Sequence, residues 1–160
     1  MSAVPPVANL APQPAAPQAR PHPRPITHKG PLDWKLLVTW LTEDNVIALK
    51  DTERVAQRFS AGGSAQHPLV RLAGLGLTRQ DTGTVLELEP LTEWLAARVS
   101  MPYVRIDPLK VDVDQVTRVM SYAFAERHGI VAVESHRDRV VVACDQPFKP
   151  DWQEHLKQVL

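Results

Sequence analysis

Past residue 31 the apolar positions of this chain fall into periods that separate helices from strands. Trp34, Leu37, Val38 and Leu41 recur at i, i+3, i+4 and i+7, the stripe of an amphipathic helix, and Asp33 is placed to cap its free amides. A second helix is predicted through "KDTERVAQRF", where Val55 and Phe59 share a face and Asp51 is the candidate cap. "SAGGS", Ser60 to Ser64, breaks the pattern. Pro68 suits a first helical turn, and Gly74 and Gly76 keep that helix short. A polar loop follows, with a brief strand predicted from Val85 to Leu88. "PLTEWLAARV" then puts Leu91, Trp94, Leu95 and Arg98 at helical spacing behind Pro90.

The second half reads as strand, helix, hairpin, helix. "YVRI", Tyr103 to Ile106, alternates as a short strand does. "DVDQVTRVMSYAFAERHG" predicts one long helix, with Val113, Val116, Met120, Ala123 and Phe124 on one face and Gly129 as its left-handed cap. "IVAVESHRDRVVVAC" gives two β-branched runs around a polar turn near Arg137 and Asp138, a hairpin signal. Pro147 and Pro150 bracket the start of a last helix carrying Trp152, Leu156 and Val159 on one side.

These elements predict an α+β domain in which four or five helices pack on a small, mainly antiparallel, three-stranded sheet, with "YVRI" as the third strand. The domain is expected over residues 32–160, helical to about residue 100 and α/β from about 101. Composition sets its start: of fifteen prolines, nine fall in the first 31 residues, in a segment with almost no large apolar side chain. Such a segment cannot bury enough surface to offset its ordering entropy, so residues 1–31 are expected to be a disordered, partly polyproline tail.

Charge and motif then remove function classes. Lysine plus arginine equals aspartate plus glutamate at 18 each, so no net field gathers nucleic acid or anionic lipid. Arg20, His22, Arg24, His28 and Lys29 make the tail locally basic, as a solvated linker often is. The single cysteine, Cys144, excludes an internal disulfide and lies in an apolar run that suits a structural thiol. With neither a signal sequence nor a run long enough to span a bilayer, the chain is expected in the cytoplasm.

No G-x-x-x-x-G-K-[ST] phosphate loop occurs, the "GLG" at Gly74 to Gly76 lacks the context of a dinucleotide site, and the six histidines are scattered without metal-ligand spacing. His128, at a helix end, is read as a cation favoured by the helix dipole. The carboxylates of Asp107, Asp112 and Asp114 could hold a hard cation, but each position has a structural task. Asp107 precedes Pro108 and starts a turn, Asp112 caps a helix, and Asp114 sits in its first turn. No catalytic, cofactor or metal residue is therefore assigned, and the chain is not expected to be an enzyme.

The order of elements in "LTEWLAARVSMPYVRIDPLKVDVDQV" through "AERHGIVAVESHRDRVVVACDQPF" resembles the amino-terminal domain of the type II secretion and type IV pilus assembly ATPases, the GspE/PulE/PilB-like family. Tyr103, Asp107, Pro108, Arg127, His128, Ala143 and Pro147 stand where that pattern places them, and Ala132 departs from it by replacing a proline. "DWKLLVTWLTEDNVI" is similar to the family's first helical pair. The resemblance implies a non-catalytic docking and regulatory module that links a motor to an inner-membrane platform protein of the GspL-like type. ATP would then act only in a downstream domain, and the chain would be peripheral at the inner membrane. The isolated domain would be monomeric and its parent hexameric. Trp40, off the main stripe of the first helix, is the candidate partner-binding residue. Some relatives bind cyclic di-GMP through a pattern beginning "RLG". Leu32, Asp33 and Trp34 stand at the first copy, and Arg71 and Leu72 are followed by Ala73, so the phosphate and guanine contacts are missing.

Overall fold

The computed structural model describes residues 26–159. The predicted tail therefore lies outside the described residues up to position 25. Its last part does not behave as a tail: Ile26 packs against the first core, and the His28 ring meets those of Phe148 and Trp40 at 5.3 and 6.5 Å. Residues 26–31, which composition assigned to the tail, are thus drawn to the fold because the Ile26 and His28 side chains find packing partners there.

The helical half is built from α1 (Trp34–Glu43), α2 (Leu49–Ser60), α3 (Pro68–Ala73) and α4 (Leu88–Arg98). Asp33 Oδ1 accepts from Leu36 N at 2.8 Å, as its position before the apolar stripe predicts. The second helix starts at Leu49 without a side-chain cap, and Asp51 lies in its first turn instead. Asn45 takes a left-handed conformation just past α1, with Val46 N bonding back to Leu41 O at 2.8 Å, so the chain turns sharply into the buried pair Val46 and Ile47. The brief strand expected at Val85 reduces to one bridge between Thr78 and Val85. Leu37, Leu41, Ile47, Val55, Leu72, Leu77, Leu86 and Leu91 are fully buried in this half. Burial of side chains this size contributes about 1.5–3 kcal/mol each, which holds four short helices that would not persist alone.

The second half contains α5 (Val113–Val119), α6 (Tyr122–His128), the hairpin strands β1 (Ile130–Ser135) and β2 (Val140–Cys144), and α7 (Trp152–Val159). The long helix predicted from Asp112 to His128 is in fact two. Met120 adopts extended backbone at φ −149° and ψ 144°, and the Ser121 hydroxyl then caps α6 by accepting from Phe124 N at 3.2 Å. A serine competes with the helix for its own backbone and restarts it at a new angle. The break turns Val119 and Met120 inward and leaves Val113 62% exposed, so the predicted apolar face is replaced by a shorter one.

The expected three-stranded sheet has two strands among the described residues. β1 and β2 pair antiparallel, from Ile130 opposite Cys144 to Ser135 opposite Val140, with Val133 bulged between Ala132 and Glu134. The segment from Tyr103 to Ile106 joins no ladder. It is drawn toward α4 instead, where Glu89 Oε1 accepts from the Tyr103 hydroxyl at 3.1 Å and lies 3.3 Å from Arg105 Nε. Periodicity can recommend a strand, but only tertiary contacts provide its partner. Gly129 takes the left-handed cap of α6 as predicted, at φ 60°.

Candidate functional site

The residues that the sequence singles out do not converge. Trp40, the candidate for partner binding, is 6% exposed and belongs to the first core. Its ring packs 6.1 Å from that of Phe148 and 5.3 Å from the Arg98 guanidinium carbon, so the indole is engaged in internal packing. The aspartates hold local posts. Asp107 Oδ1 accepts from Leu109 N at 3.1 Å, Asp112 Oδ1 caps α5 by accepting from Gln115 N at 3.1 Å, and Asp114 lies in the first turn of α5. Among the described residues no group of three or more histidine, cysteine or acidic side chains is placed to hold a metal ion.

His128 lies near the end of α6, where its Nδ1 stands 3.4 Å from Asp151 Oδ2 and its ring packs 4.5 Å from that of Phe124. Cys144 lies in β2 half-buried, and burial, with the neighbouring Asp145 charge, pushes its thiol above the ordinary range. A raised thiol is a poor nucleophile, which suits packing and not covalent chemistry. Gly74 caps α3 and Gly76 turns the chain at φ 62°, so the "GLG" is a turn.

What the structure does assemble is a junction that spacing alone did not reveal. The strap from Asp145 to Lys149, between β2 and α7, leaves the second half and plugs into the first. Phe148 packs against the first core, Leu32 N donates to Gln146 Oε1 at 2.8 Å, and Gly30 N donates to Phe148 O at 3.4 Å. On the far side of the same strap, His67 Nε2 meets Asp145 O at 3.0 Å. The sequence signal was faint: one aromatic residue between two prolines and a lysine, in a stretch that reads as a loop.

A second lock lies inside the helical half. Arg98 is 5% exposed, bonded to Glu43 Oε2 at 2.6 Å and to Asp44 Oδ1, while Trp94 Nε1 donates to Asp44 Oδ2 at 2.9 Å. The carboxyl ends of α1 and α4 are thereby fixed to each other. Next to the strap, β2 and α7 enclose an open groove of about 500 Å³. Between the halves, Met101, Val104, Ile106, Leu109 and Val113 are exposed along one stretch of chain, Leu109 at 96%.

Residues 99–160 match the family model of the MshEN domain, so the second half of the chain is similar to a domain of the type IV pilus and type II secretion ATPases. It is 41% identical over 92 residues to the type IV pilus assembly ATPase TfpB of Acinetobacter baylyi (strain ATCC 33305 / BD413 / ADP1), a match that covers 57% of this chain and 16% of that protein. The chain thus spans about a sixth of the length of that relative. A solved structure of MshE with cdg superposes at a TM-score of 0.53 over 78% of this chain and 81% of that one, at 20% identity, a likeness of fold. No helix among the described residues is long and apolar enough to cross a membrane.

Proposed function

We propose that this chain is the docking and regulatory module of a type IV pilus assembly ATPase, working by binding and not by catalysis. The observation that carries the proposal is the 41% identity to TfpB through 92 residues. The partner is a platform protein at the inner membrane, GspL-like or its pilus counterpart, which would hold the module at the cytoplasmic face. Scattered titratable groups and a raised thiol at Cys144 support a module without chemistry of its own. Purified chain is expected not to hydrolyse ATP. A pulldown with the immobilised cytoplasmic domain of the platform protein should retain it, and failure to bind would count against the docking role.

A second reading, a cyclic di-GMP sensor, is favoured by the likeness to MshE solved with cdg. Against it stand the residues at the start of α1. Asp33 places a carboxylate on the free amides that an incoming phosphate would need, and Leu32 is 4% exposed. Arg71 lies with its guanidinium carbon 3.9 Å over the Phe59 ring, already engaged in the core of the helical half. Calorimetry with cyclic di-GMP separates the two: saturable heat would move the function to nucleotide sensing, and none at high micromolar concentration would remove that reading.

A further inference from the structure

The elements in extensive contact pair within one half: α1 with α2 and α3, α3 with α4, and β1 with β2, α5 and α6. The cores are separate as well, one drawn from residues 32–95 and the other from Val119, Met120, Ile130, Ala132 and Leu156. Where Met101 faces β2 and α7, the two sides stand across an open groove of about 500 Å³. What joins the halves is therefore small, and it is gathered at one place.

Among the described residues the hydrogen bonds that cross between the halves end on the strap. Leu32 N donates to Gln146 Oε1, Gly30 N donates to Phe148 O, and the His67 ring meets Asp145 O. The Phe148 ring packs against those of His28 and Trp40, at 5.3 and 6.1 Å. Yet Phe148 is only a partly buried neighbour of the first core, and the second core contains no strap residue. Withdrawing the strap empties neither core.

The strap is also built to keep its shape. Asp145 N donates to Gly129 O at 3.0 Å and Lys149 N to Gln146 O at 3.1 Å, while Pro147 and Pro150 fix their own backbone angles. It therefore moves as a finger of the second half. A pivot is present too. Tyr103 and Arg105 tie the chain to Glu89 of α4, and Asp112 caps α5. Between these two anchors the loop 107–112 makes its hydrogen bonds within itself, from Leu109 N to Asp107 Oδ1 and from Lys110 N to Asp107 O, and Leu109 is 96% exposed.

We propose that the strap is a releasable latch: when Phe148 leaves the His28 and Trp40 rings, the two halves swing apart about residues 107–112 with both cores intact. Release uncovers the face of Trp40 that Phe148 covers, so the residue whose place in the sequence suggested partner contact becomes accessible in the open state. A ligand that prefers the uncovered indole shifts the chain toward that state.

The test places nitroxides on the full chain at Gln57→Cys in α2 and Gln158→Cys in α7, both exposed, in a Cys144→Ser background, and reads the distance between them by electron double resonance. The parent should give one narrow distance. Phe148→Ala with Gln146→Ala should replace it by a broad distribution reaching longer distances, while the amide spectra of α1 and of the hairpin keep their dispersion. Gln146→Ala alone, which removes no core side chain, should broaden it in part. In the parent, urea well below the unfolding midpoint should start the same broadening before the circular dichroism changes. The proposal is overturned if neither variant departs from the narrow distance, if either half loses its structure once the strap is weakened, or if the parent broadens only as its helices melt.

Discussion

The His67 imidazole stands 3.0 Å from the carbonyl oxygen of Asp145, 78 residues further along the chain, and joins the start of α3 to the end of β2. Its other nitrogen, Nδ1, accepts from Leu69 N at 3.2 Å and caps α3. An acceptor at Nδ1 leaves the proton on Nε2, so the ring donates to Asp145 O and one side chain serves a helix and a junction at once.

His67→Ala should remove both bonds, costing about 1 kcal/mol for the cap and a similar amount for the bridge. His67→Asn keeps a capping acceptor but is too short to reach Asp145, so it should recover only the first part. Urea unfolding of the two variants against the parent chain checks the split, and equal losses would show that the bridge alone matters.

Arg98 presents a different balance. Its guanidinium is buried between Glu43 and Asp44 and lies over Trp40, with Nε making no hydrogen bond. Arg98→Ala removes a buried guanidinium from between Glu43 and Asp44, the latter 11% exposed at the side chain, and a loss of about 3–5 kcal/mol is expected. Arg98→Lys should restore little, since one ammonium cannot span two carboxylates and stack on an indole. Denaturant midpoints of the three chains provide the comparison.

Gly129 is required twice over. Its φ of 60° disfavours any side chain by about 1–2 kcal/mol, and a Cβ there would run into the Asp145 carboxylate. Gly129→Ala should lower the melting temperature by more than the backbone term alone, and Asp145→Ala added to it should return part of the loss. A double-mutant cycle showing no coupling would separate the glycine from the strap.

Asp81 tests the electrostatics of the loop before α4. Two hydrogen bonds from Arg79, at 2.9 and 2.8 Å, lower its pKa to about 2. Because the folded pKa is depressed, the contribution to stability is present above the unfolded value and lost as pH falls through the folded one. An NMR titration should place its midpoint near 2, and Arg79→Ala should return it toward 3.8.

Much of this was legible in the chain. Asp33 and Asp112 cap the helices they precede, Pro68 opens α3, Gly129 closes α6, and the hairpin turns where β-branched runs give way to Arg137 and Asp138. These are local events, decided by backbone amides within a few residues of the side chain. The burial of Trp40 was not legible, because helical spacing gives the angle of a side chain and not the width of the buried face. Phe148 reaches that face from 108 positions away in sequence, and nothing near Trp40 announces it.

The sequence by itself determined most of the helices, the caps at Asp33, Asp112 and Gly129, the hairpin, and a resemblance that the MshEN match over residues 99–160 supports, since each depends on periodicity or on a short ordered motif. Tertiary structure alone decided that the Tyr103–Ile106 segment follows Glu89 and forms no third strand, and that Ile26 and His28 pack on the first core and its aromatic rings. It also made the strap from Asp145 to Lys149 the link between the halves. The physical reason is common to all three: each outcome compares the partners available across space, and a local pattern carries no record of which partner arrives.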